Sequence, residues 1–218
     1  NQIIIDGLQY CNWNRQLLED LLKGGVTAVH ATLVYWENTL ESFKKLEEWD
    51  KIFNEYGDII THAKTTDDIL QAKKNNKVAI IFGFQNSAPI ANDISLVENF
   101  YNKGLRFMQL TYNNQTPLGG GCYESNDSGV TRFGKEVIEE MNRLGMIIDL
   151  SHAGKKTCLD AINYSSKPVA ISHANPNFFH KSIRNIDDDV LLELSKKKWI
   201  YWIKSISLSL KKSWQMFD

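Results

Sequence analysis

Apolar runs rich in β-branched residues alternate with amphipathic stretches along most of the chain, and this alternation limits the fold more than any other feature. Ile3-Ile4-Ile5 reads as a short strand. A helix over Arg15–Lys23 then gathers Leu17, Leu18, Leu21 and Leu22 on one face and stops at Gly24 and Gly25. Val26–Val34 is a nearly all-apolar strand, beyond which Leu40, Phe43, Leu46, Trp49, Phe53 and Tyr56 recur at helical spacing. Further strand-like runs fall at Val78–Phe84, Leu105–Tyr112, Met146–Leu150, Val169–Ser172 and Trp199–Ile203, mostly separated by helices such as Glu136–Leu144 and Ile186–Lys197. Strands this apolar, linked by helices, are expected to run parallel and to be covered on both faces. Seven such runs suit a (β/α)8 barrel one strand short of closure or an open doubly wound sheet.

A chain of 218 residues with 43% hydrophobic content buries one substantial core and fits one domain better than two. Its 25 basic and 26 acidic residues nearly cancel, which removes the electrostatic case for nucleic acid or an anionic membrane surface as partner. Cys11, Cys122 and Cys158 are odd in number, far apart and without a CxxC pair, against both a disulfide framework and a zinc knuckle. A reducing, cytoplasmic compartment is the expectation, with a removed leader left open because the chain starts at Asn1. No run approaches the ~20 apolar residues of a membrane span.

Two histidines stand at strand ends, with one helix-length segment between them. His152 closes Met146-Ile-Ile-Asp-Leu-Ser-His152 and His173 closes Pro168-Val-Ala-Ile-Ser-His173. In adjacent parallel strands both imidazoles would emerge at the carboxyl edge of the sheet, where barrel enzymes assemble their sites. Imidazole is the commonest metal ligand at neutral pH, although strand-end histidines bonded to loop backbone would give the same pattern. His30, His62, which ends a short strand, and His180 read as structural or exposed. Asp149 falls on the face of Ser151 and opposite His152 by strand alternation, so it reads as a buried structural acid or a group supporting the ligands from behind, rather than as a ligand. No acidic partner makes Ser151 or Ser172 a triad nucleophile. Gly119–Gly121 lies in a long polar loop rather than between a strand and a helix, so it reads as a flexible substrate-side segment from which Tyr123 and Glu124 could reach a ligand.

Several motifs, in order along the chain, resemble one family. Asp6-Gly7, Gly24-Gly25-Val26, Gly83-Phe84-Gln85-Asn86, Met108-Gln-Leu-Thr-Tyr112, Met141-Asn-Arg-Leu-Gly145, Ile148-Asp-Leu-Ser-His-Ala-Gly154, Ser172-His-Ala-Asn-Pro176 and Arg184-Asn185 together resemble the membrane dipeptidase (renal dipeptidase) family of zinc peptidases, peptidase family M19. The resemblance implies a TIM-barrel-like (β/α)8 metal-dependent hydrolase that cleaves dipeptides at a two-zinc site. By its pattern, His152 and His173 match two metal-ligand histidines. Arg184 falls where the family's substrate-carboxylate arginine lies, with Asn185 beside it, a role that suits a guanidinium fork.

Other positions depart from the pattern. The family's first strand carries Asp-x-His-x-Asp, whose last two members bind zinc, whereas here Leu8 and Tyr10 stand in those places, and neither replaces a zinc ligand. The bridging glutamate is Gln85, which keeps an acceptor oxygen without the charge that holds two cations together. The histidine that assists the tetrahedral intermediate is Tyr112, and the catalytic aspartate lies beyond the end of this chain. The metal set is then His152, His173 and Gln85, for zinc reduced to one ion or lost. Substrate contacts would come from Arg184, Asn185 and Tyr112.

Past Lys198 the resemblance stops abruptly. This divides the chain into an incomplete barrel over 1–198 and a divergent tail over 199–218, from a reading-frame shift, a truncated gene model or a true divergent terminus. The expected architecture is a C-terminally incomplete barrel with its gap between first and last strands. Exposed strand edges there would favour association, with a homodimer as the candidate assembly. The expected function is a zinc-dependent dipeptidase-like hydrolase with a degenerate metal site. The alternative is an inactive relative that binds a dipeptide or amino-acid-like small molecule.

Overall fold

The computed structural model describes residues 2–197 and 200–203. Eight parallel strands form one sheet: β1 (Ile5–Gln9), β2 (Ala28–Val34), β3 (Ile60–His62), β4 (Val78–Phe84), β5 (Leu105–Gln109), β6 (Ile147–Asp149), β7 (Val169–Ala174) and β8 (Ile200–Ile203). They pair in the order β1-β2-β4-β5-β6-β7-β8, with β3 alongside the first half of β4. The helices between them are α1 (Arg15–Lys23), α2 (Thr39–Tyr56), α3 (Thr66–Lys74), α4 (Ser95–Asn102), α5 (Arg132–Leu144), α6 (Lys155–Tyr164) and α7 (Asp188–Lys196). The sheet curls until Cα atoms of β1 and β7 lie within 8 Å, giving a nearly closed TIM-barrel-like fold. Among the described residues no ladder joins β8 to β1. The expected tail lies outside the described residues apart from β8.

Two shifts from the sequence reading have local causes. The first strand runs over Ile5–Gln9 rather than Ile3–Ile5, because its parallel partners are Ala28, Val29 and Ala31 of β2. The run from Leu105 leaves the ladder after Gln109, where Ser87 and Thr116 hydroxyls take over the Leu110 carbonyl.

Side-chain alternation sorts each strand into an outer and an inner face. Outward residues such as Val29, Ala31, Ile80, Phe82, Met108 and Ile148 pack under the helices in the main core. The inner cluster is small: Ala28, Ala79, Ile81, Phe107 and Ala170 line the barrel floor. Above it lies His30, whose Nδ1–H donates to the Gly7 carbonyl at 2.8 Å and whose ring stacks on Phe107 at 4.3 Å. Gly83 faces that imidazole so closely that a Cβ there would fall 1.7 Å from Nε2. The floor therefore requires glycine at that point of β4.

Candidate active site

Both strand-end histidines and the arginine meet at the carboxyl rim of β6 and β7. His152 Nε2 lies 2.9 Å from His173 Nε2, and Arg184 NH2 donates to the same His152 nitrogen at 2.9 Å. Arg184 arrives from the loop after β7 and also donates to the carbonyls of Ser151 and, at 3.0 Å, His173. These bonds occupy three of its five N–H groups. Burial pulls the Arg184 guanidinium below its ordinary value, without bringing it near neutrality.

The imidazoles are oriented from behind. His152 Nδ1 is 2.7 Å from Asn113 Oδ1, an acceptor that also faces the Cys122 thiol at 3.6 Å. The proton therefore sits on Nδ1, and Nε2 presents its lone pair to Arg184. On β7, Ser172 donates its hydroxyl proton to Asp149, so its oxygen accepts from His173 Nδ1–H at 2.6 Å. Asp149 organises this half of the rim from behind the histidines, as one of its two sequence readings had it. Fully buried, it accepts from Gln109 Nε2 at 3.0 Å, from the amides of Ser151 and Ser172 at 3.1 Å each, and from both serine hydroxyls. Burial works to raise its carboxyl pKa, but the His173 charge and the serine hydroxyls outweigh it and hold the group below its usual range.

The other sequence-derived residues lie elsewhere on the rim or off it. The Gln85 amide, past the end of β4, donates to Thr32 Oγ1 at 2.9 Å. Tyr112 packs its ring 4.3 Å from that of His152. Asn185 turns away and donates to the His180 carbonyl at 2.7 Å. With Cys122, Glu124, Lys155 and Asp187 it lines a separate cavity of about 610 Å³. Tyr10 packs edge-on against Tyr35 at 5.0 Å. Asn113, Tyr35 and Trp36 escaped the sequence reading. Asn113 carries one signal in its place just past Tyr112 at the start of the long loop; its φ of 64°, rare for a non-glycine, is visible only in the structure.

These donors do not fit a two-metal centre. Zinc sites draw three or four protein ligands at about 2.0–2.3 Å. Among the described residues two imidazole nitrogens converge here, and a guanidinium already bonds one of them. Among the described residues no group of three or more His, Cys, Asp or Glu side chains is placed to hold a metal ion. Nor is any helix among them long and apolar enough to cross a membrane.

Comparison with known proteins agrees with the geometry. The model of the membrane dipeptidase family, peptidase family M19, matches residues 41–216. The chain belongs to that family. An uncharacterized dipeptidase of Schizosaccharomyces pombe is 30% identical over 159 residues, covering 71% of this chain and 38% of the relative, so this M19 chain spans well under half of that protein. Among solved structures, an amidohydrolase from Pseudomonas aeruginosa superposes with a TM-score of 0.90 at 37% identity, covering 92% of this chain and 62% of that one. A metallo peptidase from Rhodobacter sphaeroides, liganded with a phosphinate mimic of the dipeptide L-Ala-D-Ala, reaches a TM-score of 0.80 at 16% identity, covering 92% and 73%. At that identity the last comparison supports the fold alone.

Proposed function

We propose that the β6/β7 rim is the site of a zinc-dependent dipeptidase-like hydrolase with a degenerate metal site, taking a dipeptide or a similar amino-acid-like molecule. The observation that carries the reading is the meeting of His152, His173 and Arg184 at one point of the barrel's carboxyl edge. Arg184 supplies the fixed positive charge that a ligand carboxylate needs, and one of its two remaining N–H groups, on Nε or Nη1, can donate to it. Asn113 and Ser172 hold the imidazoles so that both Nε2 atoms face the ligand side. Membership of the membrane dipeptidase family supports the ligand class. The shortage of metal donors supports weak binding of one divalent ion at most, since two imidazoles and an amide bring no negative charge to offset a dication. The same shortage favours a second reading, a relative that binds such molecules without turning them over.

Elemental analysis of the purified chain, with L-Ala-L-Ala and L-Ala-D-Ala hydrolysis assayed with and without a chelator, tests this. The expected result is metal well below one ion per chain and slow or absent cleavage. Fast, chelator-sensitive hydrolysis would overturn the degenerate-site reading. Binding of either dipeptide should weaken about tenfold or more in Arg184→Ala, the usual scale for losing a charged hydrogen-bond partner.

A further inference from the structure

The half of the rim opposite Arg184 is aromatic. Tyr112 touches His152 on one side, Trp36 edge-on at 4.9 Å and Tyr35 at 5.8 Å, and Tyr35 in turn meets Tyr10 at 5.0 Å. Trp36 and Tyr10 remain 59% and 65% exposed, so ring surface is still open to a ligand. The turn carrying these rings is fixed: Glu37 Oε2 accepts the amides of Tyr35 at 2.9 Å and Trp36 at 3.0 Å, and Asn86 donates to the Tyr35 carbonyl at 2.9 Å. Glu37 adds a negative charge, while the nearby Lys45 is tied to Glu48 at 2.9 Å. One half of the rim is thus cationic, and the other combines electron-rich rings with a carboxylate.

Resting on the reading of the rim as a dipeptide-type site, we infer that the aromatic half, Trp36 with Tyr10, Tyr35 and Tyr112, is the subsite for the cationic ammonium end of a zwitterionic ligand whose carboxylate sits on Arg184. Ring faces attract cations through their quadrupole, more strongly where water is partly excluded. The aromatic half is within reach of Arg184: Tyr112 is one ring-to-ring step of 4.3 Å from the imidazole that Arg184 bonds, and Trp36 one further step of 4.9 Å, while two residues of extended chain span about 7 Å. With Leu8 and Tyr10 at the first strand end, the ammonium meets π faces and Glu37 there rather than a metal cluster.

Calorimetry on the full chain tests this with three probes: L-Ala-L-Ala, its N-acetyl derivative, which lacks the cation, and its amide, which lacks the carboxylate. The zwitterion should bind most tightly, N-acetylation should cost about tenfold, and Trp36→Leu should weaken the zwitterion by a similar factor while leaving the N-acetyl derivative unchanged. Equal binding of the zwitterion and its N-acetyl form, or equal weakening of both by Trp36→Leu, overturns the ammonium subsite while the dipeptide site stands. Failure of all three probes to bind overturns the dipeptide reading and the subsite with it. Unchanged far-ultraviolet circular dichroism and melting temperature show that the variant is folded.

Discussion

The two halves of the carboxyl rim are built by opposite means. Around β6 and β7 the side chains are polar, buried and mutually bonded: Asp149 holds Ser151 and Ser172, Ser172 holds His173, and His173 faces His152 and Arg184. Around β1, β2 and the end of β5 the side chains of Tyr10, Tyr35, Trp36 and Tyr112 meet as rings in contact, on a turn whose backbone is held by Glu37 and Asn86. A hydrogen-bonded half fixes atoms in direction as well as place, because a missed partner in a buried network costs a full desolvation penalty. A packed half tolerates more variation in angle.

The largest expected effect falls on the bonded half. Asp149→Ala leaves two serine hydroxyls, two amides and the Gln109 amide without their acceptor. It should destabilise the fold by about 3–5 kcal/mol, read as a lower urea midpoint. A loss under about 1 kcal/mol would show that the network does not organise this half.

The barrel floor gives the next. In Gly83→Ala the new methyl collides with the His30 ring, and overpacking of this kind costs about 1–3 kcal/mol. The double variant Gly83→Ala/His30→Ala should recover part of that loss in the same urea titration. Additive losses would mean that the two residues do not share the space.

A third effect is a pH dependence far from the rim. His62 is packed between Phe53 and Phe82, and burial, helped by Lys64, pushes it down to about 4. Above its ordinary value of about 6.5 neither folded nor unfolded chain binds a proton there. As pH falls from that value toward 4, the unfolded chain takes up a proton that the folded one refuses, so stability declines across that window. Melting temperatures between pH 7.5 and 4.5 should fall less steeply in His62→Phe than in the parent chain. Identical slopes would refute the assignment.

Much of this was legible in the sequence. The β-branched runs at Val26–Val34 and Val78–Phe84 became β2 and β4 because a parallel sheet covered on both faces buries every residue of such a run. The Ser-His endings placed His152 and His173 on one rim because parallel neighbours end on the same side. β3 was visible only as a short strand before His62, since three residues carry too little periodicity to define an element. Asn185 followed Arg184 in the family motif but turned to the His180 carbonyl, because loop residues are oriented by their own turns rather than by a strand's alternation.

The sequence by itself determined the alternation of strands with helices, the parallel sense of the strands and the family, though its count of seven strands left out β3. These follow from residue types and from periodicities that act over a few neighbours. Only the tertiary structure decided that Arg184 bonds His152, that Asp149 reaches His173 through Ser172, and that Trp36 and Tyr112 meet across the rim. Those contacts join residues up to 76 positions apart in the chain. Their geometry depends on how far the sheet curls and on which loop lies over which strand end, and no local pattern encodes that.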